Sequence, residues 1–182
     1  NIKKGIKYDV NLVRSDFQNP IRLLNGSWKP EKKLKGKEVL LVSSGPKLNE
    51  YKKEIEIYIL KKKPIVIALN TNTKIKKELI DYYLACNPLR LIADAKSYQS
   101  IKSPLIVPKS LLSDFHIKKL KKLKILDFGI GLKDNKFEFY KESALIPKLY
   151  NVAYALSIAT SGKASRILLA GFDGYEQSDR RT

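Results

Sequence analysis

Short apolar runs alternate along the chain with longer stretches in which apolar residues recur at three- and four-residue spacing. Glu38-Val39-Leu40-Leu41-Val42-Ser43 is the first run, and Pro64-Ile65-Val66-Ile67-Ala68-Leu69 the second. Both are rich in β-branched residues and lack alternating polar positions, the pattern of strands buried on two faces. Between them, Leu48, Tyr51, Ile55 and Ile59 recur at helical spacing, with lysine and glutamate on the other side. That spacing predicts an amphipathic helix lying on the sheet. Tyr82-Tyr83-Leu84-Ala85-Cys86, Leu105-Ile106-Val107, Ile125-Leu126-Asp127-Phe128 and Arg166-Ile167-Leu168-Leu169-Ala170 read as further strands. Helices are expected around Ile75, Leu79 and Ile80, over 110–124, and after Pro147 up to a stop at Gly162.

Strands of about five residues alternating with helices imply an α/β fold, Rossmann-like, with a mostly parallel sheet and helices on both faces. Residues 1–37 are polar and basic and are broken by Pro20, Asn25-Gly26 and Pro30. They read as a basic entry arm with a short helix, followed by one domain over 38–182. The chain contains no methionine and ends at Asp179-Arg180-Arg181-Thr182 without an evident closing element. The expectation is a fragment of a longer chain.

Parallel topology carries the ends of all these strands to one edge, where ligands of such sheets bind. Four of those ends are polar or glycine-containing: Ser43-Ser44-Gly45-Pro46-Lys47, Asn70-Thr71-Asn72, Asn87-Pro88 and Gly171-Phe172-Asp173-Gly174-Tyr175. The first suits a phosphate, because glycine admits close approach of the backbone and a following helix offers free amides and its positive end. It holds a single glycine, so it matches neither the dinucleotide-binding pattern nor the phosphate-binding loop of nucleoside triphosphatases. An ordinary tight β-to-α connection explains the turn equally well. Asn70, Asn72 and Asn87 combine donor and acceptor groups suited to a base edge or sugar hydroxyls, and asparagine also simply favours turns. Asp173 suits a ribose hydroxyl or a turn cap.

Charge and cysteine content narrow the field. The chain carries 36 Lys+Arg against 18 Asp+Glu, a net charge of +18. Runs such as Lys61-Lys62-Lys63 ordinarily form solvated helix faces, and no zinc finger, ribonucleoprotein motif or basic zipper accompanies them. No specific nucleic-acid partner is expected. No apolar run approaches the roughly 20 residues of a transmembrane segment. Cys86 is the one cysteine, which excludes an internal disulfide framework and suits the cytoplasm. No cluster of His, Cys, Asp and Glu suggests a metal. His116, the sole histidine, is remote in sequence from every strand-end turn and reads as structural. No catalytic residue is identified.

Leu40-Leu41-Val42-Ser43-Ser44-Gly45-Pro46-Lys47-Leu48 resembles the N-terminal motif of bacterial sialyltransferases and of related motility-accessory and pterin-diphosphokinase-like proteins. Ala68-Leu69-Asn70, Cys86-Asn87-Pro88 and the segment from Ile167 through Gly171-Phe172-Asp173-Gly174-Tyr175 are similar, in the same order, to later elements of that pattern. The resemblance implies a Rossmann-like domain binding a nucleotide or a nucleotide-sugar of the CMP type, with no other cofactor. Its glycosyltransferase role would lie in surface polysaccharide biosynthesis. Lys47 stands where serine is usual and Ser44 where sialyltransferases carry asparagine. The sialyltransferase catalytic histidine lies downstream of the matching region, so His116 does not inherit its role. Cys86-Asn87-Pro88-Leu89-Arg90 and the glycine-aspartate-tyrosine segment also resemble the C-terminal domain appended to 4-hydroxy-2-oxovalerate aldolase-like proteins. That alternative implies a noncatalytic accessory domain whose partner is a fused aldolase-like enzyme.

Overall fold

Residues 23–71 and 74–174 are described by the computed structural model of the chain. The apolar runs form strands β1 (Glu38–Val42), β2 (Ile65–Leu69), β3 (Tyr82–Leu84), β4 (Leu105–Val107), β5 (Ile125–Asp127) and β9 (Arg166–Ala170). They pair into one all-parallel, six-stranded sheet in the order β5-β4-β3-β2-β1-β9. An α/β Rossmann-like fold follows. From β1 the chain works outward to β5 and then returns to place β9 on the other side of β1. The order therefore reverses between β1 and β9.

Because side chains alternate across a strand, β1 feeds two cores. Val39 and Leu41 enter one cluster, and Leu40 and Val42 the other. The second cluster is covered by α2 (Lys52–Lys62), α3 (Pro88–Ala93), α4 (Ala95–Tyr98) and α5 (Asp114–Lys119), through residues such as Ile59, Leu91, Tyr98 and Ile117. The first is covered by α6 (Asn151–Ser161) through Tyr154, Ala155 and Ile158. Right-handed crossovers running in opposite directions from β1 require this division of faces.

Beside α6 lies a second sheet that the apolar pattern does not announce. Strands β6 (Gly129–Leu132), β7 (Glu138–Phe139) and β8 (Ser143–Ile146) pair in the order β6-β8-β7. Ile130, Leu132, Ala144 and Ile146 complete the first core. Two other expectations are corrected. Where a helix was expected around Ile75–Ile80 there is only a 3₁₀ turn at Lys77–Leu79. The helix expected over 110–124 is cut to a 3₁₀ turn at Lys109–Leu111 and α5. In both places Ile75, Ile80, Leu112 and Leu120 are buried without a continuous helix.

The described part of the entry arm packs onto the sheet. It contains α1 (Glu31–Leu34), whose Leu34 is buried in the first core. The amides of Ser27 and Trp28 donate to the Asp127 carbonyl at 3.0 and 2.8 Å. Residues 1–22 lie outside the described residues.

Candidate functional site

The reversal of strand order sets β1 and β9 side by side, in register from Glu38↔Arg166 to Val42↔Ala170. Their two exit turns therefore touch. The Ser43 amide donates to the Ala170 carbonyl at 2.9 Å and the Gly45 amide to the Gly171 carbonyl at 2.8 Å. Asp173 then folds back over the first turn, where its Oδ2 accepts from the Lys47 amide at 2.9 Å. A Cβ on Gly45 would stand 2.3 Å from Asp173 Oδ1 and 2.6 Å from the Gly171 carbonyl oxygen. Glycine is required here by the chain's own second turn. Gly171 itself takes a left-handed φ of 74°.

This geometry changes the meaning of the glycine turn. The Gly45 and Lys47 amides, expected as phosphate donors, are spent on the β9 turn and on a carboxylate. The element after the turn is a 3₁₀ turn at Pro46–Leu48, and α2 begins at Lys52. The positive end of a long helix does not abut Gly45. A second anion at this point would also be repelled by Asp173.

Beside the paired turns opens a cavity of about 300 Å³. Ser43, Gly45, Asn70 and Gly171 line it, together with Phe172, Gly174, Leu69 and three residues at the start of α6: Tyr150, Asn151 and Val152. No acidic or basic side chain is among them. The wall at Asn70 is held by a relay absent from the sequence reading. The Cys86 amide donates to Asn151 Oδ1 at 2.9 Å, and Asn151 Nδ2 donates to Asn70 Oδ1 at 2.8 Å. A backbone N–H can only donate, so it fixes which end of the Asn151 amide faces it. The polarity passes on to Asn70, whose Nδ2 becomes the donor end of the chain. Asn70 also sits at φ 59°, with its amide bonded to the Leu84 carbonyl at 2.8 Å.

The remaining expected residues divide. Asn87 is the N-cap of α3, its Oδ1 accepting from the amides of Leu89 and Arg90 at 3.0 and 3.2 Å. It serves the turn and does not line the cavity. Pro46 and Lys47 are exposed, and Ser44 is half-buried. Asn72 and Tyr175 lie outside the described residues. Cys86 Sγ lies 3.0 Å from Asn151 Oδ1, and burial pushes its thiol far above the ordinary range, so it remains a thiol and no nucleophile. Among the described residues, no group of three or more His, Cys, Asp and Glu is placed to hold a metal ion.

His116 is structural. It closes a capping box at the start of α5, with Ser113 Oγ 2.7 Å from its Nδ1 and the Ser113 amide donating to that same nitrogen at 3.3 Å. An Nδ1 that accepts leaves the proton on Nε2. Burial lowers the His116 pKa, and the nearby Pro88 backbone opposes that shift.

Asn151 is the functional candidate that sequence reasoning missed. Its signal was its position, an asparagine four residues after Pro147 at the start of a predicted helix, but nothing local pointed to Cys86 or Asn70. No protein-family model, curated protein or solved structure matches the chain.

Proposed function

We propose that the cavity at the β1–β9 reversal binds the uncharged part of a nucleotide or nucleotide-sugar, its nucleoside or sugar moiety. The observation that carries this reading is the lining itself: a serine, two amide side chains in a fixed relay, three glycines, and the aromatic residues Tyr150 and Phe172, with no charged side chain among the described residues. Amides and hydroxyls supply donors and acceptors for a base edge or for sugar hydroxyls. A volume of about 300 Å³ is at the small end for ligand sites and suits one such moiety, leaving phosphates outside. Lys47, exposed two residues after the lining Gly45, is the cation of the expected set for those phosphates. The ordered resemblance to sialyltransferase-like domains supports the same ligand class, a CMP-type donor. It also supports a glycosyltransferase-like role in surface polysaccharide biosynthesis, on the cytoplasmic side.

Calorimetry with cytidine, cytidine mono- and diphosphate and an activated nonulosonic acid tests the proposal. Micromolar to millimolar binding, weakened at least about tenfold by Ser43→Ala with Asn70→Ala, two residues that line the cavity, is the expected result. Absence of heat with all four ligands overturns it.

A second reading is favoured by one observation. Among the described residues, no acid, histidine or cysteine lines the cavity to stand as a general base. A noncatalytic accessory domain, fused to an aldolase-like enzyme, would bind the same ligand without turnover. Sugar transfer to an added acceptor, measured alongside binding, separates the two.

A further inference from the structure

The parallel sheet has a second edge, where the strands begin, and its chemistry is the reverse of the first. The chain enters β1 past Lys33, Lys35 and Lys37, β2 past residues 61–63, β4 past Lys102, β5 past residues 118–124 and β9 past Lys163. All of the lysines in these segments are exposed. Parallel topology gathers them, because all strands of the six-stranded sheet begin at the same edge. Five of the six entries carry lysine, while β3 is entered past Glu78 and Asp81; with strands ~4.8 Å apart the entries span a front of about 24 Å.

Carboxylates at this edge are largely engaged. Glu31 is paired with Lys35 at 3.2 Å and Lys163 at 2.8 Å, Glu38 with Arg166 at 3.2 Å, and Glu56 with Lys76 at 3.7 Å. By contrast, among the described residues, Lys118, Lys119, Lys121, Lys122 and Lys124 have no ion-pair partner. Four of them line a concavity of about 400 Å³ with Gln99 and Phe115. Phe115 is 40% exposed, with Lys119 Nζ 5.6 Å from its ring centre, and Leu60, beside the lysines of 61–63, is 62% exposed.

We propose that this edge is a docking surface for an anionic lipid bilayer. Three features favour a bilayer over nucleic acid. The charges are lysine ammonium groups on long stems, suited to a diffuse anionic plane, and the one arginine among these entries, Arg166, is paired with Glu38. The front runs along a sheet edge; it is not a groove lined by stacking aromatic residues. Exposed Phe115 and Leu60 stand among the lysines, where apolar side chains enter the headgroup layer while ammonium groups stay at its surface. Docking this way directs the carboxyl-edge cavity away from the lipid. The surface is independent of what that cavity binds.

Sedimentation of the full chain with vesicles tests the proposal, using phosphatidylcholine alone and phosphatidylcholine with about one third phosphatidylglycerol. Two variants of equal net charge localise the effect. One carries Lys118→Gln, Lys119→Gln, Lys121→Gln and Lys122→Gln; the other carries Lys109→Gln, Lys133→Gln, Lys136→Gln and Lys148→Gln, away from this edge. The expected result is binding to acidic vesicles only, reduced on the order of a hundredfold in the first variant and only a few-fold in the second. Lys61→Gln with Lys62→Gln gives a smaller loss in the same direction and guards against a folding defect in the first variant. Equal loss in the two fourfold variants, equal binding to neutral vesicles, or displacement from acidic vesicles by a short DNA duplex at charge-equivalent concentration overturns the proposal.

Discussion

At the carboxyl edge of the six-stranded sheet the chain leaves β1, β2 and β9 through serine, glycine and asparagine; at the amino edge it enters β1, β2 and β5 through lysine. The first edge is organised by hydrogen bonds between segments distant in sequence. Gly45 bonds to Gly171, Lys47 to Asp173, and Asn151 joins Cys86 to Asn70. The second is organised by solvation, its ammonium groups held at the ends of flexible stems. A uniform composition thus produces two unlike surfaces, because a parallel sheet sorts residues by whether they precede or follow a strand. The lesson is that net charge alone says little about this molecule until topology places it.

The largest expected effect sets the steric demands of the two edges against each other. Gly45→Ala drives a methyl into Asp173 Oδ1 and the Gly171 carbonyl, both under 3.0 Å, and is expected to destabilise by about 3 kcal/mol. Gly36, at the amino edge, has φ +70° and nothing within 4 Å of its Cβ position, so Gly36→Ala meets only the left-handed backbone penalty, about 1 kcal/mol. Urea unfolding of both variants measures the difference, and equal losses would remove the claim that the carboxyl edge is the tightly interlocked one.

Next in size is Asn151→Ala. It leaves the buried Cys86 amide without its acceptor and releases Asn70, and is expected to cost about 2 kcal/mol. Thermal unfolding checks the stability, and amide hydrogen exchange at Cys86 checks the cause. Unchanged exchange at Cys86 would show that the relay does not hold the cavity wall.

These particulars also show how far the sequence was legible. Strands β1 and β2 were plain because four of five residues in each are buried, leaving apolar runs with no polar interruption. Strands β6 to β8 escaped because they are two to four residues long and β6 contains two glycines, so neither run length nor alternation marks them. Helix α3 escaped because Asn87-Pro88 reads as a turn, although asparagine followed by proline is also a helix cap and first residue. At the site, Ser43, Gly45, Asn70, Gly171 and Phe172 were legible as strand-end residues and do line the cavity. The roles of Asp173 and Asn151 were not, because they rest on partners 126 and 65 residues away.

The smallest effect is electrostatic and belongs to His116, in the first turn of the short helix α5. Burial depresses its pKa in the folded state below the ordinary value of 6.5. As pH falls through 6.5 the unfolded chain takes up the proton first, so the stability that His116 contributes is complete above 6.5 and is lost as pH drops toward the folded value. His116→Gln should flatten the stability profile between pH 5 and pH 7, and an unchanged slope would assign the acid sensitivity to other groups.

The central claim is that the carboxyl-edge cavity receives an uncharged polar moiety while the phosphate donors of the glycine turn are already spent. Chemical-shift mapping with cytidine and with inorganic phosphate, each added separately to the full chain, tests it most directly. The account predicts that cytidine shifts the amide side-chain signals of Asn70 and Asn151 and that phosphate leaves the Gly45 and Lys47 backbone amides unmoved. Phosphate shifting Gly45 and Lys47, with cytidine leaving both asparagines unchanged, would contradict it.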